Sequence, residues 1–217
     1  MKIEIISVNA MSEGAEMLLT LQLSDDNGHK ERCKFLIFTN QYLELGLKKG
    51  AILSQDTFDE VERCSKECLA IRKGTELLSY SSSSKKRLVQ RLRGKGIDRE
   101  NAESAAEHLA NIGAINEECD VEHQVDLCLK KLWGKKRIYN ELLIKGYERE
   151  YIIAALENIT KEQMMENCAL LLQKKHKTVP QDSGVRKKIV GSLARYGYMF
   201  DEIKYAFEMA SSKQKTE

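Results

Sequence analysis

The chain has 217 residues, 42% hydrophobic and 31% charged, with thirteen glycines, one proline and a formal net charge of +2. This composition excludes a low-complexity or collagen-like chain and predicts a helix-rich globular protein with enough apolar residues for two cored units. The charge is uneven: residues 1–83 hold 10 Lys+Arg and 13 Asp+Glu, so the remainder holds 25 against 20, net +5, which favours an acidic or polyanionic partner.

The opening sixty residues have strand grammar. "KIEIISV" reads as one strand; "EMLLTLQLS" alternates Leu19, Leu21 and Leu23 with Thr20, Gln22 and Ser24; "RCKFLIF" is rich in strand formers. Asn27-Gly28 between the second and third predicts a type I′ hairpin turn, because both central positions of that turn need positive φ. The small antiparallel sheet needs a cover for its apolar face. "NQYLELGLKKG" and "DTFDEVERCSKECLAIRKGTELL" have helical spacing and supply it, the latter with Asp56 as N-cap and Asp59 and Glu60 in its first turn.

From about Cys68 onward the period is that of helices, and the glycines expose a repeat. Gly96, Gly146 and Gly197 are 50 and 51 residues apart. Before them stand Leu88, Val89 and Leu92; Ile138, Tyr139 and Leu142; Ile189, Val190 and Leu193. After them stand Ile97, Ala102 and Ala105; Tyr147, Ile152 and Ala155; Tyr198, Ile203 and Ala206. Each glycine thus ends one core-facing helix, entering the left-handed C′ position, and an apolar residue closes over the end. Asp98 suits an N-cap for the following helix, whereas Glu148 and Met199 at the matching sites suit it less well.

A further helix precedes each pair: "ECLAIRKGTELLS", "EECDVEHQVDLCLKKLW" and "KEQMMENCALLLQKKHK", the last with Thr160 and Gln163 at capping-box spacing. Ser83 or Ser84 caps the second helix of the first unit. The connection "KTVPQDSG" holds Pro180, which predicts a hinge. The predicted fold is mainly α: three tandem three-helix modules in an extended repeat array after a small antiparallel β-sheet domain. The divisions are 1–62 for the sheet and its covering helix, 63–115, 116–160 and 161–211 for the modules, and 212–217 for a disordered tail.

The second helix of each module begins with cations: Lys85, Lys86 and Arg87; Lys135, Lys136 and Arg137; Arg186, Lys187 and Lys188. Singly, each is a residue of a solvated helix face. Three copies at one structural position would line one side of an array, and cations at helix starts oppose the helix dipole, a cost that an anionic partner offsets. Arg91 and Lys145 extend the candidate set. Trp133 adjoins the middle cluster as an exposed aromatic contact, while Tyr139, in register with Val89 and Val190, reads as core.

No catalytic constellation stands out. "GKG" at 94–96 lacks the spacing and the Ser/Thr of a phosphate loop, and no His-Glu-x-x-His, Gly-x-Ser-x-Gly or dinucleotide fingerprint occurs. His29, His108, His123 and His176 have no ligand spacing and read as surface residues. Cys33, Cys64, Cys68, Cys119, Cys128 and Cys168 read as reduced thiols of a cytoplasmic protein; no second Cys/His pair joins Cys64 and Cys68 in a zinc finger. The start "MKIEIIS" places Glu4 where an export segment needs apolar residues, and no apolar run approaches about 18 residues, so no membrane segment is expected. Neither enzyme activity, cofactor nor metal is predicted.

"WGKKRIYNELLIKGYEREYIIAAL", with its basic helix start, Ile-x-x-Glu-Leu core and Lys-Gly-aromatic turn, resembles the central module of the RecX family of recombinase regulators. "LLSYSSSSKKRLVQRLRGKGIDRENAESAAEHLANIGAIN" resembles the preceding module, including its Gly-x-Ile-Asn exit. The likeness covers roughly 68–210, and the sheet with "LGLKKGAIL" is similar to the extension of longer members. Departures are Asn116-Glu117-Glu118 where the family has Leu-Asp-Asp, Gly191 inside the third basic helix, and Met199 at its capping site. The resemblance implies a monomeric, non-enzymatic regulator in the groove of a RecA filament on single-stranded DNA, which inhibits ATP hydrolysis and strand exchange and contacts the DNA weakly or through the filament. The alternatives are a nucleic-acid-binding protein docking its basic helix starts directly on a duplex, or a helical adaptor for another partner.

Overall fold

A computed structural model of the chain describes residues 2–25, 28–176 and 182–214. Its elements divide into two compact units: Met1–Ser81 with Leu88–Ala114, and Ser82–Arg87 with Ile115–Glu217.

The first unit opens with β1 (Lys2–Met11), β2 (Glu16–Ser24) and β3 (Lys30–Phe38). They form an antiparallel sheet of order β3-β2-β1-β4, in which β4 is the two-residue strand Ile52–Leu53. The three long strands match the sequence reading; Asn27 of the expected turn lies outside the described residues, and β4 is too short to leave a periodic signal. The inward residues Ile3, Ile5, Leu19, Leu21 and Ile37 pack with Phe58, Val61 and Cys64 of a covering helix. A short helix, α1 (Thr39–Glu44), leads toward β4.

That cover is α2 (Gln55–Tyr80), an unbroken helix of 26 residues. Its N-cap is Ser54, whose hydroxyl accepts from the Thr57 N–H at 3.1 Å, rather than Asp56, which sits in the first turn. Ser65 on its buried face accepts the Leu36 N–H of the edge strand at 3.2 Å, giving a buried strand donor a partner. The division expected at 62/63 falls inside α2. One helix serves both sides, its first half on the sheet and its second on the helices that follow, so sheet and first module share one unit.

Next come α3 (Lys85–Arg93) and α4 (Arg99–Asn111). Ser84 caps α3, accepting from the Arg87 N–H, and Asp98 caps α4, accepting from Asn101. Gly74 of α2 faces Leu109 of α4 so closely that a Cβ there would lie 2.5 Å from the leucine methyl.

The second unit holds α5 (Glu117–Lys130), α6 (Lys135–Ile144) and α7 (Arg149–Glu157), then α8 (Lys161–Lys175), α9 (Ser183–Arg195) and α10 (Phe200–Gln214). Thr160 caps α8 as expected. Gly191 lies within α9, and Pro180 lies outside the described residues. Helix α10 runs to Gln214, beyond the limit of 211 drawn for the third module; 215–217 lie outside the described residues.

The two triplets exchange core residues. Val121, Val125, Ile138, Leu142, Tyr147 and Ile152 of the first cluster with Met164, which belongs to α8; Leu171, Leu172, Ile189, Leu193, Tyr198 and Ile203 of the second cluster with Leu132, which follows α5. Leu132 takes φ 55°, a left-handed conformation that costs a branched residue on the order of 1 kcal/mol, and burial of its side chain offsets that cost.

The repeated glycines do more than end helices. Gly197 has φ +94°, and a Cβ on it would strike the Arg137 amide and lie 2.7 Å from the Gly134 carbonyl oxygen. Gly146 has φ +86°, with the Ser84 hydroxyl 3.0 Å and the Lys86 Cβ 3.2 Å from the same imaginary atom; around Gly96, φ +87°, nothing lies within 4 Å. Alanine at Gly96 therefore meets backbone strain alone, about 1–2 kcal/mol. At Gly197 it meets strain plus backbone overlap, roughly 3 kcal/mol or more. Urea unfolding of the three alanine variants should rank the losses Gly197, then Gly146, then Gly96; equal losses would remove the close-approach role.

Asp98 supplies a pH prediction. Hydrogen bonds from the Asn101 N–H at 3.0 Å and the Asn101 amide at 2.8 Å hold its carboxyl below the ordinary value. A carboxyl depressed by folding contributes stability above its unfolded pKa and loses it as pH falls through the folded one. Between about pH 5 and pH 3 the melting temperature of the wild type should drop more steeply than that of Asp98→Asn, which keeps an acceptor without the titration.

Candidate interaction site at the helix starts

In the second unit two basic helix starts, those of α3 and α6, each meet a glycine turn. The Ser84 hydroxyl donates to the Lys145 carbonyl at 2.7 Å, and the Gly134 N–H donates to the Tyr196 carbonyl at 2.8 Å. Ser84 and Gly134 are 50 residues apart, and Lys145 and Tyr196 are 51 apart, so one contact is made twice with different donors. At the second, the Lys136 N–H also reaches the Gly197 carbonyl at 3.3 Å, and the Tyr198 hydroxyl donates to the Leu132 carbonyl at 3.0 Å.

These contacts fix where the candidate cations stand. The Lys135 ammonium donates to the Ile159 carbonyl at 2.7 Å, and the Lys145 ammonium to Gln124 at 2.5 Å. In the first unit Arg91 reaches the Leu77 carbonyl at 3.4 Å. The Lys85 N–H donates to a Glu117 carboxylate oxygen at 2.6 Å, so a carboxylate from α5 supplies the negative charge that this cationic helix start needs. Lys86, Arg87 and Lys136 are exposed. The third trio departs from the sequence reading: α9 is capped by Asp182 and begins at Ser183, which puts Arg186, Lys187 and Lys188 at its fourth to sixth residues. Arg186 lies 5.2 Å over the Phe207 ring, and Lys187 and Lys188 are exposed.

The densest feature combines two predicted residues with three that the sequence reading missed. The Arg137 guanidinium lies 4.0 Å from the Trp133 ring centre and 5.0 Å from that of Tyr196; Lys131 stands 5.2 Å over Trp133 and Lys175 4.0 Å over Tyr196. Trp133 is half-buried, its other contacts being with the core around Val125 and Ile138. Tyr139, expected in the core, is likewise half-buried against that cluster. Among the described residues none of Lys131, Arg137 and Lys175 has a carboxylate in ion-pair range, so three positive charges converge on two aromatic faces without neutralisation. A hydrogen bond from Lys175, then its charge and that of Arg137, hold the Tyr196 phenol below its usual value. Tyr196 directly precedes Gly197 where Lys145 precedes Gly146; this exchange within the repeat was the available signal.

Elsewhere among the described residues, no group of three or more His, Cys, Asp or Glu side chains is placed to hold a metal ion. No described helix is long and apolar enough to cross a membrane. The thiols of Cys68 and Cys168 are pushed up to about 12 by burial, and that of Cys128 is raised by the same cause, so these three are packing residues.

The fold and this site define a class: a helical-repeat protein of three-helix modules fused to a small sheet, bearing a concentrated cationic and aromatic surface. No family model matches the chain. Its relatives include the regulatory protein RecX of Listeria monocytogenes serotype 4b (strain CLIP80459), 24% identical over 190 residues, which are 84% of this chain and 69% of that protein. RecX of Stenotrophomonas maltophilia is 28% identical over 146 residues, 67% of this chain and 89% of the relative, and that of Clostridioides difficile is 26% identical over 172 residues, 77% and 80%. Among solved structures, a crystal structure of regulatory protein RecX matches with TM-score 0.74 at 18% identity, covering 95% of this chain and 99% of that one. RecX from Lactobacillus salivarius matches with TM-score 0.59 at 21% identity, covering 67% and 97%. The chain is thus similar in sequence to regulatory RecX proteins over most of its length and shares the fold of the solved RecX structures.

The electrostatics at Tyr196 can be checked directly. Lys175→Met should move one phenol titration to higher pH in the alkaline difference spectrum and leave the other tyrosines in place; an unchanged spectrum would remove Lys175 from the cluster.

Proposed function

We propose that this protein regulates a RecA recombinase: it lodges in the groove of the RecA filament on single-stranded DNA and inhibits ATP hydrolysis and strand exchange, without chemistry of its own. The likeness to regulatory RecX proteins supports the partner class. The observation that carries the reading is the un-neutralised group of Lys131, Arg137 and Lys175 on Trp133 and Tyr196, beside exposed Lys136. Such a surface suits a polyanion or the acidic wall of a protein groove. Lys86, Arg87, Lys187 and Lys188 would add electrostatic contacts, while Lys135, Lys145 and Arg91, already bonded within the chain, would hold the fold rather than the partner. In this reading the protein acts as a monomer in the cytoplasm, in homologous recombination and DNA repair.

A direct nucleic-acid-binding role is the second reading, favoured by the aromatic faces of Trp133 and Tyr196, on which bases can stack. One experiment separates the two: ATP hydrolysis by RecA on single-stranded DNA during titration of this protein, with binding to the bare DNA measured alongside. Inhibition well below the concentration that coats DNA supports the regulator, and inhibition only at DNA saturation supports the second reading. Lys131→Glu, Lys136→Glu and Lys175→Glu together should raise the half-inhibitory concentration roughly tenfold or more and flatten its salt dependence. Undiminished inhibition by a folded triple variant would count against this surface.

A further inference from the structure

One face of the sheet packs on the core, and the other sorts its charges. Cross-strand partners project to the same side of a sheet. The register sets Leu19, Leu21 and Leu23 of β2 beside Phe35, Cys33 and Glu31 of β3, on the side that packs with α2. It sets Thr20, Gln22 and Ser24 beside Lys34, Arg32 and Lys30 on the other side, where Ser7, Glu4 and Lys2 of β1 complete the rows. Lys30, Arg32 and Lys34 are all exposed, and among the described residues none of them has an ion-pair partner. The carboxylate in these rows, Glu4, is held by the Lys2 ammonium at 2.8 Å, and Asp25 in the turn accepts the His29 N–H at 2.8 Å. Three unpaired cations thus stand in line within a stretch, residues 1–83, that holds 10 Lys+Arg against 13 Asp+Glu. Lysines on an edge strand discourage sheet-to-sheet pairing. That accounts for charge on β3, but not for the confinement of its cations to one face or for the hydroxyl and amide groups beside them.

We propose that this face of the sheet binds the sugar–phosphate backbone of a single-stranded nucleic acid. Residues two apart on a strand stand about 6.8 Å from one another. That is close to the span of one nucleotide in an extended single strand, so Lys30, Arg32 and Lys34 each meet a successive phosphate. Thr20, Gln22 and Ser24, half-buried alongside, are neutral donors to phosphate oxygens, the usual companions of Arg and Lys at a nucleic-acid backbone. No aromatic ring stands in these rows, so bases are not stacked and binding is indifferent to sequence. Nor does an apolar side chain stand there, which a membrane surface would need. The inference goes beyond the proposed function: it concerns the first unit, and its test contains no recombinase.

The test is fluorescence anisotropy of labelled oligothymidylate titrated with the full chain over a range of salt concentrations, for the wild type and for Lys30→Thr, Arg32→Gln and Lys34→Thr, singly and combined. Each phosphate contact on a single strand contributes about 0.7 to the slope of log affinity against log salt, so each single variant should flatten it by about 0.7 and the triple by about 2. Affinity of the triple variant at low salt should fall roughly tenfold or more, and an oligonucleotide of mixed sequence should behave alike. The three positions are exposed, so an unchanged circular dichroism melt verifies that the fold persists. Unchanged slope and affinity in the folded variants overturn the inference. So does an equal loss on replacing Lys66, Arg93 and Lys95, exposed elsewhere in the same unit, by glutamine, because net charge alone would then be the cause. Polyglutamate bound more tightly than oligothymidylate, and released by the triple variant, would overturn it in favour of an acidic protein partner.

Discussion

Two glycines from different helical triplets rest backbone against backbone, and the second unit is organised around that approach. A Cβ on Gly134 would overlap the carbonyl of Gly197, and a Cβ on Gly197 would overlap the amide of Arg137. Only because both are absent can the Gly134 N–H reach the Tyr196 carbonyl and the Lys136 N–H the Gly197 carbonyl. Their proximity lets Leu132 enter the core of the α8–α10 triplet, lets Met164 enter that of α5–α7, and brings Arg137 between Trp133 and Tyr196. Triplets of some forty residues have little apolar surface to bury alone, and exchange of core residues through a fixed contact makes the pair one unit.

The same contact accounts for the site. Cations at a helix N-terminus are unfavourable against the dipole, yet α3 and α6 both begin with three. Part of the cost is met internally: Glu117 accepts from the start of α3, and the Ile159 carbonyl takes the Lys135 ammonium. Arg137 instead finds two aromatic faces, which attract its charge without cancelling it. The repeated cations thus divide into those that hold the fold and those whose charge remains available to a partner. That division follows from the turn to which each helix start is docked.

Much of the architecture was legible in the sequence. The alternation of Leu19, Leu21 and Leu23 gave the sheet its inward face, and the glycines at 96, 146 and 197 with their flanking apolar residues gave the helix pairs and their turns. Ser84, Asp98 and Thr160 were readable as caps because capping is decided within four residues. The end of the sheet region was not readable: α2 carries one apolar stripe throughout, and nothing local marks where its partner changes from strands to helices. Nor was the start of α9, where Asp182 and Ser183 open the helix ahead of the basic trio.

By itself the sequence determined local periodicity, the helix ends, the repeat and the placement of the basic runs, since these rest on backbone preference and on neighbours three or four residues apart. Only the tertiary structure decided which carbonyl each helix start would meet, that Tyr196 and Lys175 would join Trp133 and Arg137, and that Leu132 and Met164 would serve each other's modules. Those pairings span up to 66 residues in the Tyr198–Leu132 hydrogen bond, and no propensity or spacing encodes them. They arise from close packing, in which the missing side chain of a glycine decides how near two backbones can come.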